Sequence, residues 1–180
     1  MRQAVADTCF LVDWAKFRRR DVLFAVFDVV WLPEPVLNEV RSEDTLGWVA
    51  SKLAERRMAL LPETPELRAE ALALMAEVSA RLSTPLVDYP EAFCLAAGKR
   101  LGAVVLTENR GALAVPRVVP QYAGVEVWRS LEVLAKAVEA GAADCSAFDE
   151  YREDAVHEFP RRDLEKVLNA LGCRTRGARS

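Results

Sequence analysis

Short apolar segments alternate with longer amphipathic segments along most of this chain. The clearest apolar segment, residues 103–107, follows a helical pattern over residues 88–101 and the helix-ending residue Gly102. A helix between two parallel strands returns the chain to the same edge of the sheet. The alternation therefore predicts an α/β fold with a central parallel sheet flanked by helices on both faces, followed by C-terminal helices.

Proline and glycine residues separate the expected elements, which are mostly short. The predicted strands are residues 5–7, 28–32, 58–61, 103–107 and 125–127. The predicted helices include residues 35–40, 64–82, 88–101, 130–140, 146–156 and 161–171, whereas residues 116–124 are expected to be loop-rich.

The 180 residues correspond to one compact domain, and 52% hydrophobic content is enough to bury a core. We assign residues 1–145 to the main α/β part of this domain. Residues 146–180 form a C-terminal helical extension of the same domain, and its basic tail contains Arg174, Arg176 and Arg179.

Charge and cysteine content narrow the expected partners and compartment. The net charge of −3 argues against nucleic-acid binding through bulk charge, but it allows a local basic patch such as residues 18–20. The four cysteines are widely spaced and are expected to be reduced thiols of a cytoplasmic protein: Cys9, Cys94, Cys145 and Cys173. No apolar run approaches the ~18 residues of a membrane helix, so no membrane partner is expected.

Four carboxylates fall at predicted boundaries between strands and helices. Asp7 and Glu108 end strands, Glu91 begins the helix that leads into the second of these strands, and Glu39 lies just past the first turn of another helix. The helix that begins at Glu91 and the strand that ends at Glu108 have similar lengths, roughly 16 Å and ~17–20 Å, so these two acids return to one edge of the sheet. Acids gathered there repel one another unless a divalent cation lies between them, which predicts a metal-dependent hydrolase.

Each of these acids also has a purely structural interpretation. Asp7 could cap the helix that follows it, and Glu91 could form a capping box with Asp88. Glu39 and Glu108 could be ordinary acids of a helix surface and a loop. The joint placement of the four acids at one edge favours a shared site.

Three sequence segments resemble the PIN-domain nuclease family, especially its small prokaryotic, VapC-like branch. VADTCFLVDWA is similar to the family's opening strand, acid, threonine and apolar helix, and VVWLPEPVLNEV to its second strand, proline, helix and acid. EAFCLAAGKRLGAVVLTENRGAL resembles the family's acidic helix start, Leu-Gly-Ala segment and apolar strand that ends in threonine and an acid. The resemblance covers residues 3–128 in order and implies a PIN-like nuclease domain over residues 1–145.

The resemblance implies a ribonuclease that hydrolyses phosphodiester bonds with Mg²⁺ or Mn²⁺. Carried onto this sequence, the catalytic acids are Asp7, Glu39, Glu91 and Glu108. Asp7 and Glu108 are then the main metal ligands, Glu91 is a ligand or its partner, and Glu39 orients a metal-bound water. Thr107 and Asn109 are expected to lie beside the ligands.

Further expectations concern partners. Arginines are expected to hold the RNA phosphates beside an acidic site: Arg18, Arg19, Arg20 and Arg110. The VapC-like branch suggests the toxin of a toxin–antitoxin pair, with an antitoxin protein as partner. Apolar stripes on predicted helices suggest a homodimer, and members of the family that the sequence resembles commonly form dimers.

Two other functions compete with this prediction. One is a catalytically weak or inactive PIN-like module that binds RNA or protein. The other is an α/β metal phosphohydrolase acting on a small molecule, but such enzymes usually carry Asp-x-Asp after the first strand and Asp7-Thr8-Cys9 lacks the second acid. The one histidine, His157, is expected to be a surface residue of a polar C-terminal helix.

Overall fold

A computed structural model describes residues 1–81 and 85–173. In chain order, the elements are β1 (Gln3–Ala6), α1 (Thr8–Lys16), α2 (Leu23–Val26), β2 (Val29–Pro33), α3 (Glu34–Glu39), α4 (Glu43–Ala54), β3 (Met58–Leu61), α5 (Pro65–Ser79), α6 (Tyr89–Leu101), β4 (Val104–Leu106), α7 (Arg110–Val118), β5 (Val127–Trp128), α8 (Ser130–Glu139), α9 (Ser146–Ala155) and α10 (Arg161–Ala170). Short 3-10 turns lie at Arg20–Val22 and Pro120–Tyr122.

The five strands form one parallel sheet in the order β3-β2-β1-β4-β5. β1 is central, and its residue Val5 is paired with Trp31 on one side and Val105 on the other. The strand order reverses between β1 and β4, which opens a crevice beyond the carboxyl ends of these two strands. The predicted α/β fold, with helices on the flanks of a parallel sheet, is confirmed.

Helix α6 packs unusually close to the sheet because it presents Gly98 to β4. A Cβ atom at this position would collide with Cγ2 of Val105. The helix is buried along most of its length, from Pro90 to Gly98. This close packing carries the first turn of α6 to the carboxyl end of β1.

The C-terminal helices belong to the same core as the sheet. Tyr151 of α9 is fully buried, and its ring centroid lies 5.4 Å from those of Trp14 and Phe17 beside α1. Phe148 and Phe159 are buried in the same cluster. The basic tail predicted for residues 174–180 lies outside the described residues.

Most predicted boundaries shift by one or two residues, and the larger changes are at the end of α5 and around Pro116. The helix expected over residues 64–82 ends at Ser79, and its last predicted residue lies outside the described part of the chain. The segment predicted to be loop-rich, residues 116–124, is helical at its start, because α7 continues through Pro116 to Val118 and a 3-10 turn follows. The apolar spacing of this segment places Val115 in the core as part of a helix, and this favours the helix although Pro116 disfavours it. In the described residues, no helix has the length and apolar character needed to span a membrane.

The apolar stripes that suggested a homodimer are occupied within the chain. Most of their side chains are buried, and one is partly buried against the core. The buried ones are Leu11, Trp14, Phe17, Leu67, Leu74 and Val78, and the partly buried one is Met75. Dimer formation stays a prediction, but this observation no longer motivates it.

The prediction that all cysteines are reduced is wrong for two of them. Cys145, just before α9, and Cys173, just after α10, form a disulfide with their Cα atoms 5.8 Å apart. The two residues are 28 positions apart, and only the packing of the helices brings them together. Cys9 and Cys94 are free thiols.

We expect reduction of the Cys145–Cys173 disulfide to loosen α10. This helix buries none of its residues completely, although Leu164, Val167 and Leu168 pack partly buried against the core, so the covalent link supplements a limited set of apolar contacts. A link across 28 residues contributes about 3–4 kcal/mol in the chain-entropy description. Amide hydrogen exchange within α10 should therefore accelerate about 10–100-fold in a reducing agent.

The matched control is Cys145→Ser, whose α10 amides should exchange equally fast with and without the reducing agent. Unchanged protection of α10 in the reduced parent protein would show that its apolar contacts alone hold it in place.

Candidate functional site

Asp7 lies at the point where the strand order reverses, directly after β1. It is only 3% exposed, and its backbone N–H donates to Leu106 O of β4 at 2.9 Å. Its Oδ1 accepts from Thr8 N at 2.7 Å, which caps α1, while Oδ2 accepts from Thr107 Oγ1 at 2.7 Å and Cys9 Sγ at 3.0 Å. The carboxylate is therefore fixed by groups from both sides of the crevice.

Burial raises the pKa of Asp7, and the nearby charge of Asp88 adds to this effect. The hydrogen bonds from Cys9, Thr107 and Thr8 oppose it by favouring the ionised form. The net effect is a raised pKa, which means that the surroundings disfavour the ionised form of Asp7. A nearby cation would stabilise that form.

Glu91 occupies the first turn of α6 and has two roles. It forms the capping box with Asp88, in which Asp88 N donates to Glu91 Oε2 and Glu91 N donates to Asp88 Oδ1, both at 3.0 Å. It is also 8% exposed, and burial together with the negative charges of Asp88, Asp7 and Glu39 raises its pKa to about 7. The capping interpretation and the shared-site interpretation therefore both hold for this residue.

Glu39 reaches the same cleft from the second strand–helix unit. It is the last residue of the six-residue α3 and so lies past the first turn of that helix, as predicted. Its Oε2 accepts from Thr8 Oγ1 at 2.8 Å. This hydrogen bond ties Glu39 to the residue next to Asp7 and leaves its other oxygen toward solvent.

A cleft of about 390 Å³ brings these acids together. Its walls are Asp7, Thr8, Cys9, Val12, Asp13, Glu39, Asp88 and Glu91. Within the described part of the chain, no Lys or Arg lines this cleft, although Lys16 pairs with Asp13 at its edge. We call this space the acidic cleft.

Glu108, the fourth predicted acid, lies beside the acidic cleft and is not one of its lining residues. Its Oε1 accepts from Ser130 N at 2.7 Å and from Ser130 Oγ at 2.6 Å, so it holds the start of α8. Its Oε2 lies 3.6 Å from His157 Nε2. The structure thus brings together three of the four predicted acids and turns the fourth toward the C-terminal helices.

The two residues predicted beside the ligands differ in their contacts. Thr107 donates directly to Asp7, as described above. Asn109 donates its backbone N–H to Thr107 Oγ1 at 3.1 Å, and its side chain accepts from the first N–H groups of α7. Asn109 therefore orients Thr107 and caps a helix.

Sequence reasoning missed three residues of this region. Asp13 lines the acidic cleft one helical turn beyond Cys9, and this spacing on one helix face was a usable indication. Asp88 was considered only as a cap. His157 was placed on a helix surface, but it follows α9 and its side chain is 18% exposed, between Glu108 and Asp13. No local pattern indicated that placement.

The four arginines predicted to bind RNA differ in their contacts within the chain. Arg18 forms a two-pronged pair with Asp154 of α9, with Nη2 and Oδ1 2.6 Å apart. Arg19 also pairs with acids near α9, and Arg20 donates to a backbone carbonyl of α1. Arg110 is exposed at the start of α7. RNA binding by these four residues stays a prediction.

The acidic cleft suits a hydrated cation better than an enclosed one. Among residues 1–81 and 85–173, no group of three or more His, Cys, Asp or Glu side chains is arranged to hold a metal ion by itself. Mg²⁺ usually keeps several waters and takes only one or two protein carboxylates. Asp7 and Glu91, whose pKa values are raised in part by neighbouring negative charge, fit that kind of binding.

Comparison with known proteins identifies no relative on which an interpretation of the site could be based. No protein-family model matches the chain, and no curated protein matches it. The sequence motifs, the sheet order and the acidic cleft are therefore the grounds for any functional proposal.

Proposed function

We propose that this chain is a divalent-metal-dependent ribonuclease that hydrolyses phosphodiester bonds of RNA at the acidic cleft. The main support is the buried carboxylate of Asp7 at the point where the strand order reverses. Further acids surround it, and no Lys or Arg of the described residues lines the cleft. Buried carboxylates of one sign are costly without a cation. A site that retains them is suited to holding Mg²⁺ or Mn²⁺.

The proposed roles follow from the hydrogen bonds of each acid. Asp7 and Glu91 would hold the cation. Glu108 was predicted as a main ligand, but it does not line the acidic cleft and its Oε1 is engaged by the start of α8, so only its Oε2 could approach a cation there. A bound cation would lower the pKa of a water and offset the charge of the phosphate. Thr107 and Cys9 keep the Asp7 carboxylate oriented.

Glu39 is the proposed partner of the attacking water. Thr8 fixes one oxygen of its carboxylate, and the other oxygen is free to accept a proton from water at the rim of the acidic cleft. Glu39 is exposed, so water and substrate can reach it.

A specific observation supports the competing function, a non-catalytic module that binds RNA or protein. Asp7 and Glu91 cap helices, and Glu108 holds the start of α8. These structural roles would keep the acids in place without any chemistry. The toxin role and the antitoxin partner are further parts of the ribonuclease proposal.

Metal removal tests the proposed function. We expect the protein to cleave a labelled single-stranded RNA in Mg²⁺ or Mn²⁺, to lose this activity in EDTA, and to regain it when the metal is restored. A DNA strand of the same sequence shows whether the 2′-hydroxyl is required. Cleavage that persists in EDTA would contradict the metal mechanism, and RNA binding without cleavage in either metal would favour the non-catalytic module.

A further inference from the structure

We propose that His157 is a substrate-contacting residue, whose imidazole donates a hydrogen bond to a phosphate oxygen of RNA bound beside Glu108. This inference deepens the proposed function and rests on it. It adds a residue from the C-terminal extension to a site that is otherwise built from the sheet and its first helices.

The position of the ring is the first observation. His157 Nε2 lies 3.6 Å from Glu108 Oε2, and Nδ1 lies 4.0 Å from Asp13 Oδ2. Both distances exceed those of ordinary N–H···O hydrogen bonds. The imidazole is therefore directed at the wall of the acidic cleft without being bonded to either carboxylate, so a donor remains for an incoming oxygen.

The packing of the ring is the second observation. Its centroid lies 5.0 Å from that of Phe159 and 5.7 Å from that of Tyr151. These aromatic side chains are buried and hold the imidazole by packing against it, and 18% of the His157 side chain stays exposed. A ring held in this way loses little conformational freedom when it contacts a ligand.

The backbone just before the ring is the third observation. Val156 ends α9 in the left-handed conformation, with φ 52° and ψ 45°, and its side chain is 90% exposed. This conformation is unfavourable for a β-branched residue, and the exposed side chain gains little packing in return. Such strain persists where the surrounding structure imposes it, and it occurs here at the residue directly before His157.

Two carboxylates face the ring, and they would repel a phosphate unless the cation of the proposed site offset their charge. Asp13 faces it from α1, where Lys16 already pairs with the other Asp13 oxygen, and Glu108 faces it from the end of β4. In the described residues, no Lys or Arg pairs with Glu108. A phosphate at this wall would meet two acids, and the imidazole is the donor placed between them.

Nuclear magnetic resonance can test this contact directly because the chain has one histidine. We expect a short oligoribonucleotide added to the uncleaving Asp7→Asn protein to shift the ring signals of His157. A methylphosphonate strand of the same sequence lacks the charge and keeps only a neutral, weaker acceptor oxygen, so it should shift these signals much less at equal occupancy. RNA that binds without shifting the signals, or that fails to bind, overturns the inference.

Kinetics provide the second measurement. His157→Phe keeps an aromatic ring against Tyr151 and Phe159 but removes the donor, so kcat/KM should fall about 10–100-fold with the melting temperature nearly unchanged. His157→Gln should recover part of the loss because its amide can donate. Full activity of His157→Phe overturns the inference and leaves the proposed function intact.

The two proposals can fail separately. If the parent protein cleaves no RNA, the ribonuclease proposal fails, but a larger shift of the His157 signals by RNA than by the methylphosphonate strand still supports the contact.

Discussion

Replacing Asp7 with Asn should lower the rate of metal-dependent RNA cleavage by at least ~100-fold. The substitution keeps the shape of the side chain and an oxygen that can accept from Thr8 N, so α1 should remain capped. It removes the buried negative charge on which the proposed cation site depends. Single-turnover cleavage at saturating Mn²⁺ measures the effect without interference from product release.

The matched control for this substitution is Asp44→Asn. Asp44 is an exposed acid in the first turn of α4, and it does not line the acidic cleft. The Asp44→Asn substitution makes the same chemical change and should leave the cleavage rate within about twofold of the parent value. An Asp7→Asn protein as active as this control would rule out Asp7 as a ligand.

The second large effect concerns stability and pH in the absence of metal. Glu91 has an ordinary pKa of 4.5, and burial with neighbouring negative charge raises its pKa to about 7 in the folded protein. Between these values the folded state binds more protons than the unfolded state, so the free energy of unfolding falls as pH rises. The contribution of this residue should decrease by about 3 kcal/mol from pH 4.5 to pH 7.

Glu91→Gln isolates this effect because it removes the titrating group. Urea unfolding in EDTA at several pH values should show the variant becoming more stable relative to the parent as pH rises toward 7. Mg²⁺ or Mn²⁺ should then stabilise the parent more than the variant. A constant stability difference between the two proteins across this range would mean that Glu91 is only a helix cap.

The strands and the position of Asp7 could be predicted because local patterns determine them. An apolar segment that ends in Asp7, and another that ends in Thr107 and Glu108, are enough to place these residues at one edge of a parallel sheet. Their spacing along the chain does not matter once both segments are recognised as strands. The capping box at the start of α6 is equally local, since it joins residues three apart.

The direction of each side chain could not be predicted in this way. Glu108 turns toward Ser130, which lies 22 residues later, and the sequence between them carries no sign of that contact. His157 depends on the packing of α9 against α1, and the Cys145–Cys173 link depends on the packing of two C-terminal helices. Contacts of this kind are set by tertiary packing, which local patterns do not encode.

Gly98 has a consequence for the opposite end of its helix. It lies two helical turns from Glu91, about 10 Å along the axis, and it sets how closely α6 approaches β4. Because a helix moves as a stiff rod, one added methyl group at Gly98 would shift the Glu91 carboxylate relative to Asp7 without touching either acid. The spacing between two acids of the acidic cleft is thus governed from the other end of α6, by the absence of a side chain.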